Sequence, residues 1–160
     1  MKYMFASDVH GSAYYCRKML EAYDEEKAER LVLLGDLLYH GPRNDLPKEY
    51  APKEVIRLLN ERKNQIYAVR GNCEAEVDQM VLNFPCLAEY AAIWIDGIYI
   101  FATHGHHHNP ANPPMLKKGD ILLNGHTHIP ANQDMADFIY MNPGSVSIPK
   151  ENSAHGYMIY

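Results

Sequence analysis

Five short apolar segments of the chain each run directly into a residue that can bind a metal ion. The first segment ends at Asp8, and the others lead into Asp36, Asn72, His104 and His126. Each has the length and composition of a buried strand, and sites in open α/β sheets gather beyond the carboxyl ends of strands. A single polar residue after a strand is most often a helix cap or a turn residue. Five of them predict a common edge at which their side chains meet.

The residue types at these positions form a coherent group of metal donors. Asp8 and Asp36 supply charged oxygens, Asn72 supplies a neutral carbonyl oxygen, and the histidines supply imidazole nitrogens. Mixed nitrogen and oxygen donors suit Mn, Fe, Co, Ni or Zn better than Ca or Mg. Four imidazoles and three oxygen donors are enough to complete two coordination spheres. The set therefore predicts a metal centre.

Two pairs of these donors are separated by a single residue. Asp8 and His10 flank Val9, and a second pair flanks Thr127. An extended or turning segment can point two such side chains to one side, so each pair can bind one ion. We therefore predict that the metal centre is built by Asp8, His10, Asp36, Asn72, His104, His126 and His128.

The same motifs resemble those of the calcineurin-like metallophosphoesterase superfamily. The resemblance covers Met1 to about Lys150 and is carried by Asp8-x-His10, Gly35-Asp36, Gly71-Asn72, His104-Gly105-His106 and Gly125-His126-x-His128. Within the superfamily, the chain is similar to the small bacterial phosphodiesterases of the YfcE type. That similarity is carried by Gly35-Asp36, His40-Gly41-Pro42-Arg43-Asn44, Gly71-Asn72-Cys73 and Asn142-Pro143-Gly144-Ser145.

The resemblance implies an α/β fold, a two-layer-sheet αββα sandwich with mixed parallel and antiparallel strands. It implies a metal-dependent phosphodiesterase, a phosphoric diester hydrolase, in which a hydroxide bridging two divalent ions attacks a small phosphate diester. Mn is the expected metal, with Fe, Ni, Co or Zn as alternatives. Asp36 would bridge the two ions. The other ligands of the first ion would be Asp8, His10 and His128, and those of the second would be Asn72, His104 and His126.

Several residues near this centre are candidates for catalysis or substrate contact. Cys73 stands where most of the superfamily has a His that assists the leaving group, and His106 is a neighbour that could replace it. His40 and Arg43 are candidate contacts to the substrate phosphate. In the structural alternative, Arg43 pairs with a carboxylate and the imidazoles satisfy loop carbonyls. The predicted catalytic residues are Asp36, Asn72, Cys73 and His106.

Other functions of the same fold remain open at this stage. One alternative is a non-catalytic protein-binding scaffold, as in the retromer subunit with this fold, whose metal site is incomplete. Here every ligand type is present, which favours an enzyme. A phosphomonoesterase is a further alternative. A DNA repair nuclease is disfavoured by the acidic balance of the chain and by the lack of an added DNA-binding segment.

Alternating strands and helices predict βαβ units with parallel first strands and helices on the faces of a sheet. Ser12 and Pro52 are predicted to start helices, and a third helix is predicted over Glu74 to Phe84, with Val77, Met80, Val81 and Phe84 forming its apolar face. Asp96-Gly97 predicts a tight hairpin and antiparallel pairing in the later half. The predicted strands are Tyr3 to Ala6, Leu31 to Leu34, Ile66 to Val69, Ile93 to Ile95, Ile98 to Ala102 and Ile121 to Leu123.

The composition predicts one globular domain over residues 1–160, with 47% apolar and 22% charged residues. The last residues lie in a strand-like segment, which predicts a domain truncated at its carboxyl terminus. A net charge of -5 gives no general attraction for duplex nucleic acid, so we expect a small phosphate ester as the substrate. No signal peptide or membrane span is recognisable, which predicts a cytoplasmic protein. The resemblance also implies a homo-oligomer.

Overall fold

The structure is a computed structural model that describes residues 1–160, with three helices and nine strands. No helix in the chain has both the length and the apolar character that crossing a membrane requires. The helices are α1 (Ala13–Glu25), α2 (Pro52–Glu61) and α3 (Glu76–Val81). The strands are β1 (Tyr3–Ala6), β2 (Arg30–Leu33), β3 (Ile66–Ala68), β4 (Ala91–Ile95), β5 (Ile98–Ala102), β6 (Ile121–Leu123), β7 (Ala131–Asp134), β8 (Ile139–Asn142) and β9 (Met158–Ile159).

The strands form two mixed sheets, which confirms the predicted fold class. The first sheet has the order β3-β2-β1-β9, and the second has the order β4-β5-β6-β8-β7. β1, β2 and β3 are parallel to one another, and so are β5, β6 and β8. β9, β4 and β7 join as antiparallel edge strands. The parallel strands of each sheet therefore end at a common edge.

Alternate residues of β1 face two different layers of the core. Met4 and Ala6 belong to the cluster formed with the helices, whereas Phe5 packs between the sheets with residues such as Ile100 and Leu123. Both faces of β1 are thus covered, which explains its uninterrupted apolar run from Met4 to Ala6. The outer face of the second sheet is covered differently, because Leu116 from a loop packs there and no helix follows β5.

The first two helices begin where the sequence predicted. Ser12 caps α1, since its hydroxyl oxygen accepts the backbone N–H of Tyr15 at 3.2 Å. Pro52 opens α2 at a position where a helix needs no backbone donor. Val55 and Leu59 bury the inner face of α2 against the first sheet.

The prediction for the third helix was wrong in its length and in its buried face. α3 has only six residues, and Val77 and Met80 are 62% and 82% exposed. Asp78 accepts the backbone N–H of Ala75 and so fixes the start of the helix later than predicted. The only buried side chain of α3 is that of Asp78 itself.

The end of the third helix is set by the residues that follow it. Leu82 has an extended backbone, and Pro85 disfavours a helical conformation at Phe84. Leu82 and Phe84 are nevertheless buried in the core, because the extended segment turns them toward the helix side of the first sheet. Phe84 is therefore a core residue, but not as part of a helix.

The Asp96-Gly97 hairpin is confirmed, whereas two strands were missed. Both turn residues have positive φ, 50° and 83°, as a tight hairpin between β4 and β5 requires. β7 was missed because Ala131–Asp134 is mostly exposed and carries no apolar alternation. β8 lies between turn-rich segments and pairs with both β6 and β7.

Candidate metal centre

The seven predicted ligands lie together at the carboxyl edges of the two sheets. Asp8 and Asp36 follow β1 and β2 of the first sheet, and His104 and His126 follow β5 and β6 of the second. Asp8 and His104 are fully buried, whereas Asn72 lies exposed at the mouth of the site. The donor atoms fall into two adjoining groups that share Asp36.

The first group consists of Asp8, His10 and His128. Asp8 Oδ1 lies 3.3 Å from His10 Nε2 and 3.2 Å from His128 Nε2. The two Nε2 atoms are 3.2 Å apart. Donors bound to one ion at about 2.0–2.2 Å are separated by about 3.0–3.4 Å, so this triangle has the size of a coordination shell.

The protonation of these rings follows from their other nitrogens. His10 Nδ1 donates to the carbonyl oxygen of Tyr39 at 2.8 Å, and His128 Nδ1 donates to that of Ile148 at 2.7 Å. A carbonyl oxygen only accepts, so each neutral ring has a bare Nε2. Two bare nitrogens then face Asp8 Oδ1, a buried oxygen without a hydrogen-bond partner. Such a convergence of acceptors needs either a proton or a metal cation among them.

The second group consists of Asp36, Asn72, His104 and His126. His104 Nε2 lies 3.2 Å from Asp36 Oδ2, 3.0 Å from Asn72 Oδ1 and 3.1 Å from His126 Nδ1. His104 Nδ1 donates to the carbonyl oxygen of Leu34 at 2.6 Å, so its Nε2 is also bare in the neutral ring. His104 therefore presents its Nε2 to the second group as His10 and His128 present theirs to the first.

Asp36 is placed to serve both groups. Its Oδ2 is 3.2 Å from His104 Nε2 and 3.7 Å from His10 Nε2. Its Oδ1 accepts the backbone N–H of Cys73 at 2.9 Å, which holds the carboxylate in this orientation. One oxygen thus faces the nitrogens of both groups, which is the position of a bridging ligand.

The charges of the centre reflect the same geometry. Burial raises the pKa of Asp8, but the imidazoles of His104, His10 and His128 lower it more, to well below its ordinary value. Burial lowers the pKa of His104, but the carboxylates of Asp8 and Asp36 offset this and raise it to about 9. In the metal-free protein, protons on the imidazoles therefore balance the negative charge of the carboxylates. Bound metal ions would balance the same charge at the same positions.

Five of the seven ligands have a left-handed backbone. Their φ angles are 59° at Asp8, 49° at His10, 56° at Asp36, 65° at His126 and 60° at His128. This conformation is unfavourable for residues with a side chain and recurs at functional sites that the surrounding structure holds in place. The chain thus turns sharply after each strand, which aims the side chain back over the edge of the sheet.

Two glycines allow these turns to approach one another. A Cβ atom on Gly71 would lie 2.1 Å from Asp36 Oδ1, and one on Gly125 would lie 1.9 Å from Ser7 Oγ. Ser7 in turn donates to Asp8 Oδ2 at 2.6 Å, and the backbone N–H of His126 donates to the same oxygen at 2.9 Å. Any larger residue at either glycine would displace a ligand.

Three supporting residues were not predicted to have a role at the site. Ser145 and Ser147 donate their hydroxyls to the carbonyl oxygen of Asp8 at 2.8 and 3.0 Å. Asn142 donates to the carbonyl oxygen of Gly125 at 2.8 Å and so supports the turn that carries His126. The Asn142-Pro143-Gly144-Ser145 motif was the available signal, but a motif alone does not say which ligand it supports.

A cleft with a volume of about 210 Å³ opens over the two groups. Arg43 and Cys73 both line it, and the contact of Arg43 with substrate stays a prediction. Lys150 also lines the cleft, although the sequence carried no signal for it. The lining residues are His10, Asp36, Gly41, Pro42, Arg43, Asn44, Asn72, Cys73, His126, His128 and Lys150.

His40 and His106 do not line this cleft. The ring of His40 packs edge-on against Tyr39 and Tyr50, with ring centroids 4.8 and 5.1 Å apart. Its proposed contact with substrate therefore stays a prediction without a supporting contact. The ring of His106 lies 5.4 Å from that of His104, beside the second group.

His106, His107 and Glu89 form a further group of potential metal donors outside the cleft. Glu89 Oε2 is 3.3 Å from His107 Nδ1, but its other oxygen is 3.7 Å from the guanidinium of Arg70. Both His107 and Glu89 are exposed. The adjacent guanidinium already balances the single carboxylate, so this group lacks the unpaired negative charge of the buried centre.

The donor set of the buried centre fits divalent metal ions. It combines two buried carboxylates, one amide oxygen and four imidazole nitrogens at mutual distances that match coordination shells. Asp8 Oδ1 has no hydrogen-bond partner, and the Nε2 atoms of His10 and His128 beside it carry no proton when their rings are neutral. A metal ion in each of the two groups would coordinate these oxygen and nitrogen atoms.

The model of the calcineurin-like phosphoesterase superfamily domain matches residues 1–160. The chain is 47% identical to phosphodiesterase YfcE of Escherichia coli (strain K12) over 157 residues, which cover 98% of this chain and 85% of that protein. It is 25% identical to phosphodiesterase MJ0936 of Methanocaldococcus jannaschii over 152 residues, 90% of this chain and 83% of that protein.

Solved structures agree with these sequence matches. The structure of YfcE, a phosphoesterase from E. coli, matches with a TM-score of 0.97 at 46% identity and covers 99% of this chain and 87% of that one. Vps29 from Entamoeba histolytica, solved with Zn²⁺, matches with a TM-score of 0.57 at 19% identity over 99% of this chain and 84% of that one. The likeness to Vps29 shows the fold alone.

Proposed function

Because the chain belongs to the calcineurin-like phosphoesterase superfamily and is a metal-dependent phosphodiesterase, we propose that its buried centre holds two divalent ions and hydrolyses small phosphate diesters. The observation that carries the proposal is the convergence of bare imidazole nitrogens on the buried carboxylates of Asp8 and Asp36. A structural role alone does not require ring nitrogens and carboxylate oxygens to converge in a buried site.

Each ion would have four protein ligands, with Asp36 shared between them. When bound, the two ions lower the pKa of a water between them and neutralise negative charge on the phosphate. Mn is the proposed metal, with Fe, Ni, Co and Zn as alternatives, because the donors mix nitrogen and oxygen. The first ion would be held by Asp8, His10, Asp36 and His128, and the second by Asp36, Asn72, His104 and His126.

The protein supplies charge and shape around the phosphate. Arg43 and Lys150 line the cleft beside the metal ligands, so both can attract an anionic substrate. The volume of about 210 Å³ is smaller than that of a typical drug-sized pocket, which favours a small ester group. This agrees with the net charge of -5, which provides no general attraction for a polyanion.

Assistance to the leaving group is weak in this site. Burial and the nearby Asp36 raise the pKa of the Cys73 thiol above its usual range, so the thiol is a poor proton donor. Burial, followed by the charge of His104, lowers the pKa of His106 to about 4, so His106 carries no extra proton at neutral pH. The leaving oxygen therefore departs largely without a protein acid, which favours diesters with good leaving groups.

The decisive experiment is an assay of the metal-reconstituted protein against monoesters, linear diesters and cyclic nucleotides. We expect Mn-dependent hydrolysis of diesters, faster with aryl than with alkyl leaving groups, and loss of activity after chelation. Faster hydrolysis of monoesters would identify a phosphomonoesterase. Full metal loading without any turnover would favour a protein-binding scaffold and contradict the proposal.

Three sequence-based expectations stay predictions. They are the cytoplasmic location, a homo-oligomeric state and the absence of stable binding to nucleic-acid duplexes or membranes. Native mass spectrometry would test the oligomeric state, a salt-dependent DNA-binding assay would test duplex binding, and sedimentation with lipid vesicles would test membrane binding.

A further inference from the structure

Glu74 is a buried carboxylate beside the metal centre that contacts no predicted ligand side chain. It is 3% exposed, and both of its oxygens accept backbone hydrogen bonds. Oε2 accepts the N–H of Asp36 at 2.9 Å and that of Gly71 at 2.5 Å, and Oε1 accepts the N–H of Leu37 at 2.7 Å. One side chain thus satisfies three backbone donors.

These donors belong to two different loops. Asp36 and Leu37 lie in the turn after β2, and Gly71 lies in the turn after β3, immediately before Asn72. The turns touch closely, because a Cβ atom on Gly71 would lie 2.6 Å from the backbone nitrogen of Asp36. The Glu74 carboxylate therefore holds the bridging ligand and the loop of Asn72 in one hydrogen-bonded unit.

We infer that Glu74 is a positioning residue for the metal centre, which sets the place of Asp36 and Asn72 through their backbones. This inference rests on the proposed two-ion function. Asp36 has a φ of 56°, an unfavourable backbone conformation, and the hydrogen bond from its N–H to Glu74 helps to hold it. Asp36 serves both ions and Asn72 only the second. Loss of the Glu74 hydrogen bonds should therefore weaken binding of the second ion more than binding of the first.

The position requires a carboxylate rather than any polar side chain. A carboxylate offers only acceptors on both oxygens, whereas the amide of Gln replaces one oxygen with an N–H₂ donor. In Glu74→Gln, that donor would face at least one backbone N–H, and a buried donor would be left without a partner. The variant keeps the shape of the side chain but loses one of its two acceptor oxygens and its negative charge.

Asp78 supplies a matched control. It is also a buried acid, 7% exposed, and it accepts the backbone N–H of Ala75 at 2.8 Å at the start of α3. It makes no hydrogen bond to either metal-binding turn. Asp78→Asn thus tests the loss of a buried backbone acceptor nearby without loosening Asp36 or Asn72.

The test measures Mn²⁺ binding to the full chain by titration calorimetry, with anomalous scattering to locate the ions. Partners behind metal ligands are commonly worth about 10–100-fold in metal affinity, so Glu74→Gln should weaken the second ion by that factor and the first by less. Saturating Mn²⁺ should restore a large part of kcat. Asp78→Asn should bind both ions as the parent does, even if its melting temperature falls.

Parental affinity for both ions in Glu74→Gln would overturn the inference, whatever the melting temperature. Equal weakening in Asp78→Asn would overturn it as well, because the effect would then be general destabilisation. If Glu74→Gln does not fold, Glu74→Asp decides by the same criterion, since it keeps the charge but shortens the reach. A parental protein that binds fewer than two ions would instead refute the proposed function.

Discussion

The backbone N–H of His10 donates to the carbonyl oxygen of Asp36 at 2.9 Å, so a ligand of the proposed first ion is tied directly to the bridging residue. The turn after β1 and the turn after β2 are therefore one structural unit, as are the turns after β2 and β3. A change in the Asp36 side chain can alter ion binding without breaking these backbone contacts.

We predict that Asp36→Asn lowers kcat for diester hydrolysis by about 100-fold or more. The amide carries no charge to share between two ions, and the charge stabilisation that the ions supply is worth several kcal/mol. Initial rates with Mn²⁺ after chelation and reloading would measure the effect. Asp137→Asn, an exposed acid without a side-chain hydrogen bond, should match the parent. Near-parental rates in Asp36→Asn would refute the bridging assignment.

The two imidazoles after β6 are predicted to serve different ions. His128→Ala should empty the first position and His126→Ala the second, because their donor atoms lie in different groups. Metal analysis combined with anomalous difference maps would locate the remaining ion in each variant. His155→Ala, at a histidine stacked on Tyr15 and outside both groups, should retain both ions. Loss of the same ion in both ligand variants would contradict the assignment.

Cys73→His should change leaving-group selectivity. An imidazole at the cleft wall can protonate the leaving oxygen, and such assistance is commonly worth 10²–10⁴-fold. Hydrolysis of alkyl diesters and of monoesters should therefore increase more than that of aryl diesters. The ratio of these rates at equal metal loading is the measurement, with Cys73→Ser as the control of similar size. A ratio equal to that of the parent would show that position 73 has no role in leaving-group chemistry.

The stability of the metal-free protein should depend on the protonation of His104. Its pKa is about 9 in the folded state against 6.5 for the free side chain, because Asp8 and Asp36 outweigh the effect of burial. A raised pKa stabilises the fold fully below pH 6.5, and this contribution, on the order of 3 kcal/mol, is lost as the pH rises to about 9.

Urea denaturation in EDTA between pH 6.5 and 9 would measure this dependence. The free energy of unfolding should fall over that range in the parent and change less in His104→Gln. Saturating Mn²⁺ should remove the dependence, because the ions take over the charge that the proton supplies. Identical slopes in the parent and the variant would contradict the role assigned to His104.

Much of the fold could be predicted because most strands of both sheets contain short apolar runs that the core buries. Tyr3–Ala6 and Ile98–Ala102 were predicted with the observed bounds, and the Asp96-Gly97 turn was recognisable from its chemistry alone. β7 escaped prediction because an exposed edge strand needs no apolar pattern. The third helix was overextended because Val77 and Met80 have helical spacing but no partner surface.

The sequence by itself determined the donor types and the strand ends that bring them to one edge, since parallel strands must finish together. The family resemblance implied how those donors divide between two ions, but only the tertiary structure shows the distances behind that division, because they depend on contacts between residues far apart in the chain. Asp8 meets His128 across 120 positions, and the bare nitrogens of the rings follow from backbone carbonyls that no spacing reveals. The roles of Glu74 and Lys150 likewise arise where separate loops pack together, which no local sequence pattern encodes.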